Sequence, residues 1–130
     1  MGMFDFTGRV AVVTGGTAGV GRGMAIALAR QNCDLAILAR RTDVLERTAE
    51  EIRTLGVRCL PVQCDITEDE SVANAVKTIM NEYGRVDILV NNAGAGGPPT
   101  PTVELEMTAY KKLIELNLTS TFRVIKAFVP

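Results

Sequence analysis

The chain contains no histidine, and that absence removes more chemistry than any single residue present adds. A Ser-His-Asp triad, a histidine general base and most zinc sites are excluded. No metal centre is therefore expected, and acid–base work falls to Tyr, Lys, Asp or Glu. Cysteine is scarce as well: Cys33, Cys59 and Cys64 are odd in number and include no C-x-x-C pair, which reads as reduced, buried thiols and not as a disulfide framework. Neither charge is in excess, with 14 basic residues interspersed among 15 acidic ones for a net charge of −1. Without a basic stripe for nucleic acid or an anionic membrane, the expected partner is a small molecule. No apolar run approaches the roughly 20 residues that cross a bilayer, and the N-terminus lacks the apolar core of a leader. Position 6 is Phe6 and not Ser or Thr, so the opening Met1-Gly2 is a poor myristoylation site. These absences point to a cytoplasmic protein. Residues 1–130 have the length of one domain, and 47% of them are hydrophobic, enough to bury a core.

The stretch from Arg9 to Met24 organises the rest. Val10, Ala11, Val12 and Val13 form a short continuous apolar run, as suits a parallel strand buried on both faces. Gly15, Gly16, Gly19 and Gly21 then clear side chains where the backbone turns sharply and an anion can approach main-chain N–H groups. From Val20 the apolar positions Met24, Ala27 and Leu28 recur at helical spacing, so the turn opens on a helix N-terminus with its partial positive charge. A Walker loop begun at Gly16 would need Lys and then Ser or Thr after Gly21, where Arg22 and Gly23 stand. The dinucleotide fingerprint G-x-G-x-x-G begun at Gly19 would need a small residue where Met24 stands. The pattern that fits is Thr14-Gly15-x-x-x-Gly19-x-Gly21.

Strand and helix then alternate. Asp34–Arg40 reads as a second strand, and a helix capped by Thr42 or Asp43 and ended by Gly56 follows. Val57–Cys64 reads as a third strand whose Pro61 marks it as a sheet edge. Thr67 and Glu70 form a capping box that starts a third helix, closed by Gly84. Val86–Asn91 reads as a fourth strand, Asn92–Thr102 as a Gly/Pro-rich loop, and Thr108–Pro130 as a helix with Leu113, Leu116, Val124 and Phe128 on one side. Such alternation predicts an α/β fold of three α/β/α layers around a parallel sheet. Right-handed crossovers give the strand order 3-2-1-4 of a Rossmann-type fold, with the ligand above the carboxyl ends of strands 1 and 4.

An acid about 20 residues after the glycines would hold the ribose 2′-OH of NAD, but that place reads Ala39-Arg40-Arg41. Two guanidiniums there suit a 2′-phosphate, which favours NADP(H) over NAD(H). The same missing acid argues against a Rossmann-type methyltransferase.

The Thr14–Gly21 pattern resembles the glycine motif of the short-chain dehydrogenase/reductase family, and Asn91-Asn92-Ala93-Gly94 matches that family's NNAG motif after the fourth strand. The resemblance runs through the whole chain but covers only the part of the family fold that precedes its fifth strand. It implies an NADP(H)-dependent oxidoreductase that interconverts an alcohol and a carbonyl by hydride transfer. The cofactor contacts it implies are Gly15, Thr17, Gly19, Val20, Gly21, Arg40, Arg41, Asp65, Ile66, Asn92, Ala93 and Gly94. Asp65 and Ile66 match the family's acid and apolar residue at the adenine. Asn117 falls at the family's catalytic asparagine, on a helix locally opened to bind a water. The family's Tyr-x-x-x-Lys pair is absent, since Tyr83 is followed four on by Asp87 and Tyr110 by Ile114. Residues 1–130 are therefore expected to be the cofactor-binding part alone and inactive, within a protein that forms a homodimer or homotetramer. A different class stays open beside it: a non-catalytic nucleotide-binding or oligomerisation module.

Overall fold

A computed structural model describes residues 4–94 and 99–129. Strand β1 (Val10–Thr14) leads into helix α1 (Gly19–Arg30). Strand β2 (Asp34–Ala39), helix α2 (Thr42–Arg53), strand β3 (Cys59–Gln63), helix α3 (Asp69–Tyr83) and strand β4 (Ile88–Asn91) follow. After the loop come a 3₁₀ turn (Thr102–Glu104), helix α4 (Met107–Ile114), one π-helical turn (Glu115–Thr119) and helix α5 (Ser120–Phe128). The four strands are parallel in the order β3-β2-β1-β4, as the alternation predicts.

The continuous apolar strands are explained by two cores. Ala11, Val13, Leu35 and Ile37 point to the layer of α1 and α2, where they meet Ala25, Ala29, Leu45, Ala49 and Ile52. The alternate residues Val12, Ala36 and Leu38 point to the other layer and meet Val72, Ala75, Ile79 and Val124. Successive side chains of a strand project to opposite faces, so a strand covered on both sides has no polar position to spare. Pro61 pairs with Ile37 on β3, which has a neighbour on one side only and can lack a donor there. The thiols sit in these cores. Burial pushes Cys33 up to about 11 and Cys59 up to about 12, and raises Cys64 as well, so all three stay as inert thiols.

Several boundaries differ from the sequence expectation. The helix after β3 begins at Asp69 with Glu68 at its N-cap, and the Thr67–Glu70 capping box does not form. The Thr67 hydroxyl instead donates to Asp65 Oδ1 at 2.6 Å, beside the Thr67 N–H at 3.0 Å. The helix end offers only N–H donors for the Thr67 oxygen to accept, whereas the Asp65 carboxylate takes the hydroxyl proton in a charge-assisted bond and turns the side chain back toward residue 65. Arg41, not Thr42 or Asp43, occupies the N-cap of α2. That helix ends at Arg53, and Gly56 (φ +91°) completes the turn beyond it. Strands β3 and β4 are shorter than Val57–Cys64 and Val86–Asn91, while Gly84 closes α3 in the left-handed conformation as expected.

The segment expected to be one helix from Thr108 is broken by the π turn, and its buried side is not left uncovered. Leu116, Val124 and Phe128 pack against the core of α3 and the sheet. Met107, Tyr110, Ile114, Leu118, Phe122, Ile125 and Val129 are exposed.

Candidate cofactor site

The site is assembled where β1 and β4 end side by side. Thr14, 2% exposed, is the joint. Its hydroxyl oxygen accepts the N–H groups of Asn92 and Ala93, each at 3.0 Å, and donates to the Val90 carbonyl at 3.4 Å. One step on, Asn92 Nδ2 donates to the Gly15 carbonyl at 3.1 Å, and the Gly15 N–H donates to the Leu38 carbonyl at 2.8 Å. The ends of β4, β1 and β2 are thus tied into one rim. A Thr14→Val variant would strand two main-chain donors, each at a cost of about 1–3 kcal/mol when buried. We expect it to lose about 2–4 kcal/mol of stability in urea denaturation, and Thr14→Ser to stay within about 1 kcal/mol of the wild type.

The glycines fit this rim for different reasons. Gly15 (φ +66°) and Gly19 (φ +55°) hold left-handed conformations that an L side chain disfavours. Gly21 is buried on the first turn of α1, and a Cβ there would collide with the Gly15 carbonyl and Asn92 Nδ2. Nothing lies within 4 Å of a Cβ built on Gly19, so that position faces open space in front of the helix. Helix α1 has no acid in its first turn and no side-chain cap from Ala18, which leaves its positive end available to an anion. Val20 on the same turn is 73% exposed.

Beyond the glycine loop two adjoining cavities share Arg40. The first, about 270 Å³, is lined by Thr17, Ala18, Ala39, Arg40, Arg41 and Val44. The second, about 300 Å³, is lined by Arg40, Gln63, Asp65 and Ser71. Gln63 Nε2 donates to the Arg40 carbonyl at 3.0 Å and fixes the backbone between them. Arg41 is paired with Asp43 at 3.1 Å; the Arg40 side chain has no ion pair or hydrogen bond among the described residues. The Thr67 hydroxyl and N–H bonds, helped by the charges of Arg40 and Arg123, hold the Asp65 carboxyl below its ordinary range. The Asp65 N–H is met by Ser71 Oγ at 2.9 Å. Ile66 is 8% exposed and belongs to the core behind the site, so only a sliver of its side chain faces outward.

Asn117 lies in the middle of the π turn. Its Nδ2 donates to the Leu113 carbonyl at 3.0 Å, and its Oδ1 lies 2.5 Å from where a Cβ on Gly94 would stand. The structure therefore brings Asn117 to the Asn92-Ala93-Gly94 end of β4. Of the loop that follows, residues 95–98 lie outside the described part. Neither tyrosine lines either cavity: Tyr83 donates to the Leu35 carbonyl at 2.7 Å and has Arg58 over its ring, and Tyr110 is exposed on α4. Gln63 and Thr14 escaped the sequence-based set of contacts, although Thr14 opens the glycine pattern that was read. An open helix end, glycines that leave no room for a methyl, an uncommitted guanidinium and a carboxylate at neighbouring strand ends fit a dinucleotide laid across the rim.

A family model described as short chain dehydrogenase matches residues 9–130. The chain belongs to the short-chain dehydrogenase family. It is 37% identical over 119 residues to the peroxisomal 2,4-dienoyl-CoA reductase [(3E)-enoyl-CoA-producing] of Danio rerio, across 91% of this chain and 39% of that protein. A crystal structure of an actinorhodin polyketide ketoreductase variant with NADPH superimposes with a TM-score of 0.88 at 36% identity, covering 93% of this chain and 46% of that one. An NAD+-bound xylitol dehydrogenase superimposes with a TM-score of 0.92 at 31% identity, covering 95% and 47%. This short-chain dehydrogenase chain thus spans less than half the length of these relatives. Among its described residues no helix is long and apolar enough to cross a membrane.

Proposed function

We propose that residues 1–130 form the NADP(H)-binding part of an oxidoreductase acting on a small alcohol or ketone. The observation that carries the reading is Arg40. It stands at the end of β2 without an ion pair among the described residues, on the wall between both cavities, where an NAD-binding chain would carry an acid. The nicotinamide would supply the hydride. This chain's residues would do the holding. The α1 N-terminus and glycine loop would take the pyrophosphate, Arg40 the 2′-phosphate with Arg41 beside it, and Asp65 the adenine side. Gly94 and Asn117 would flank the nicotinamide end, with Asn117 positioning a proton-relay water. The proposed assembly is a homodimer or homotetramer, which the exposed Tyr110, Ile114, Leu118, Phe122 and Ile125 would serve.

Calorimetry decides the cofactor. The wild type is expected to bind NADP+ more tightly than NAD+. Arg40→Asp should weaken NADP+ about 10–100-fold, as loss of a charge-assisted contact of about 1.5–3 kcal/mol requires, and should strengthen NAD+. A wild type that prefers NAD+ would overturn the assignment. A non-catalytic binding module is the alternative, because neither tyrosine begins a Tyr-x-x-x-Lys pair.

A further inference from the structure

The π turn is an unfavourable geometry that persists only where its surroundings impose it, and here one side chain outside the proposed cofactor contacts does most of the imposing. Arg123, on α5, has its side chain 18% exposed and reaches three segments. Its Nη2 donates to Glu115 Oε1 at 2.9 Å, at the start of the turn. Its Nη1 donates to the Ile66 carbonyl at 2.9 Å and to Ser120 Oγ at 3.3 Å, and its Nε to Asp69 Oδ1 at 2.5 Å. Ser120 is fully buried and donates its own hydroxyl to the Glu115 carbonyl at 2.7 Å. Asp69 and Glu115 are exposed enough that either pair alone would be worth little. The bonds to a backbone carbonyl and a buried hydroxyl are different, because a planar fork of donors fixes the two segments in one relative position. The consequence falls on Asn117. Losing the extra residue of the π turn would rotate the helix by about 100° per residue and carry the carboxamide away from Gly94.

We infer that Arg123 is a positioning residue: it clamps the π turn to the Ile66–Asp69 segment, sets where the Asn117 carboxamide stands, and links that placement to occupancy of the adenine side. The last clause rests on the cofactor reading above; the first two do not.

The test follows the Asn117 side-chain amide by NMR in the whole chain, assigned by its loss in Asn117→Asp, with adenosine 2′,5′-bisphosphate as a probe that reaches only the adenine side. In the wild type the nucleotide should shift the Asn117 amide. In Arg123→Met that amide should already have moved in the free protein and should exchange with solvent at least tenfold faster. The nucleotide should bind within threefold of wild type yet no longer shift the amide, and Arg123→Lys should lie between. A purely structural role would not abolish the nucleotide-induced shift. If Arg123→Met fails to fold, Glu115→Gln, which leaves the Ile66 bond in place, should still speed Asn117 exchange two- to fivefold. Wild-type exchange in whichever of these variants folds, or equal loss of protection at Val12 and Ile37 in the sheet, overturns the inference. A wild type that does not bind the nucleotide overturns the cofactor reading instead and leaves the exchange comparison intact.

Discussion

Replacing Gly21 by alanine is expected to cost stability and cofactor binding together, with NADP+ affinity in calorimetry falling at least a hundredfold. The added methyl would occupy the place of the Gly15 carbonyl and Asn92 Nδ2, which are bonded to each other at 3.1 Å. Neither can swing aside without breaking the tie between the glycine loop and the end of β4. Overpacking of this kind costs about 1–3 kcal/mol, and the relaxation that relieves it displaces the N–H groups meant for the pyrophosphate. Gly19→Val is the informative companion. Its Cβ meets nothing within 4 Å, and although φ +55° strains a β-branched residue locally, helical and strand content should survive, while the side chain fills the space an anion needs. A Gly21→Ala protein with a wild-type urea midpoint and affinity within threefold of wild type would remove the argument.

The doubly covered parallel sheet was legible because the apolar runs at Val10–Val13 and Leu35–Leu38 are continuous, and its order followed from right-handed crossovers. The rim was legible in part, since the glycine pattern and Asn92-Ala93-Gly94 are local sequence, and their contact follows from β1 and β4 being neighbours. What could not be read were preferences decided by tertiary partners. Thr67 has the spacing of a helix cap, but the Asp65 carboxylate competes for it and wins. The family resemblance favours Arg40 over Arg41 for a 2′-phosphate, but that Arg41 is engaged by Asp43 is not written in the sequence. Arg123 carries no pattern of its own, because its partners at Ile66 and Asp69 are more than 50 residues away. The π turn did leave a trace. Leu116, Ser120, Val124 and Phe128 recur every four residues, and at about 100° per residue each step overshoots a straight α-helical face by about 40°. The widened turn absorbs the first of these steps, from Leu116 to Ser120, and Leu116, Val124 and Phe128 pack into one core.

The same widened turn makes the coupling between Gly94 and Asn117 measurable without any cofactor. Gly94 has no side chain to lose, so its presence is explained by what a side chain would meet: Asn117 Oδ1 at 2.5 Å, closer than any real methyl approaches an oxygen. Asn117 cannot simply rotate clear, because its Nδ2 is committed to the Leu113 carbonyl. Gly94→Ala must therefore either break that bond or push the end of β4 away from α4 and α5. We expect it to destabilise the chain by about 1–3 kcal/mol in urea denaturation, the range for overpacking. In an Asn117→Ala background, with the oxygen gone, the same substitution should be nearly neutral. The double-mutant cycle should thus close with a coupling energy of about 1–3 kcal/mol, as residues in direct contact give. A cycle that closes additively would mean that the two residues do not touch, and the placement of Asn117 against the end of β4 would fall with it.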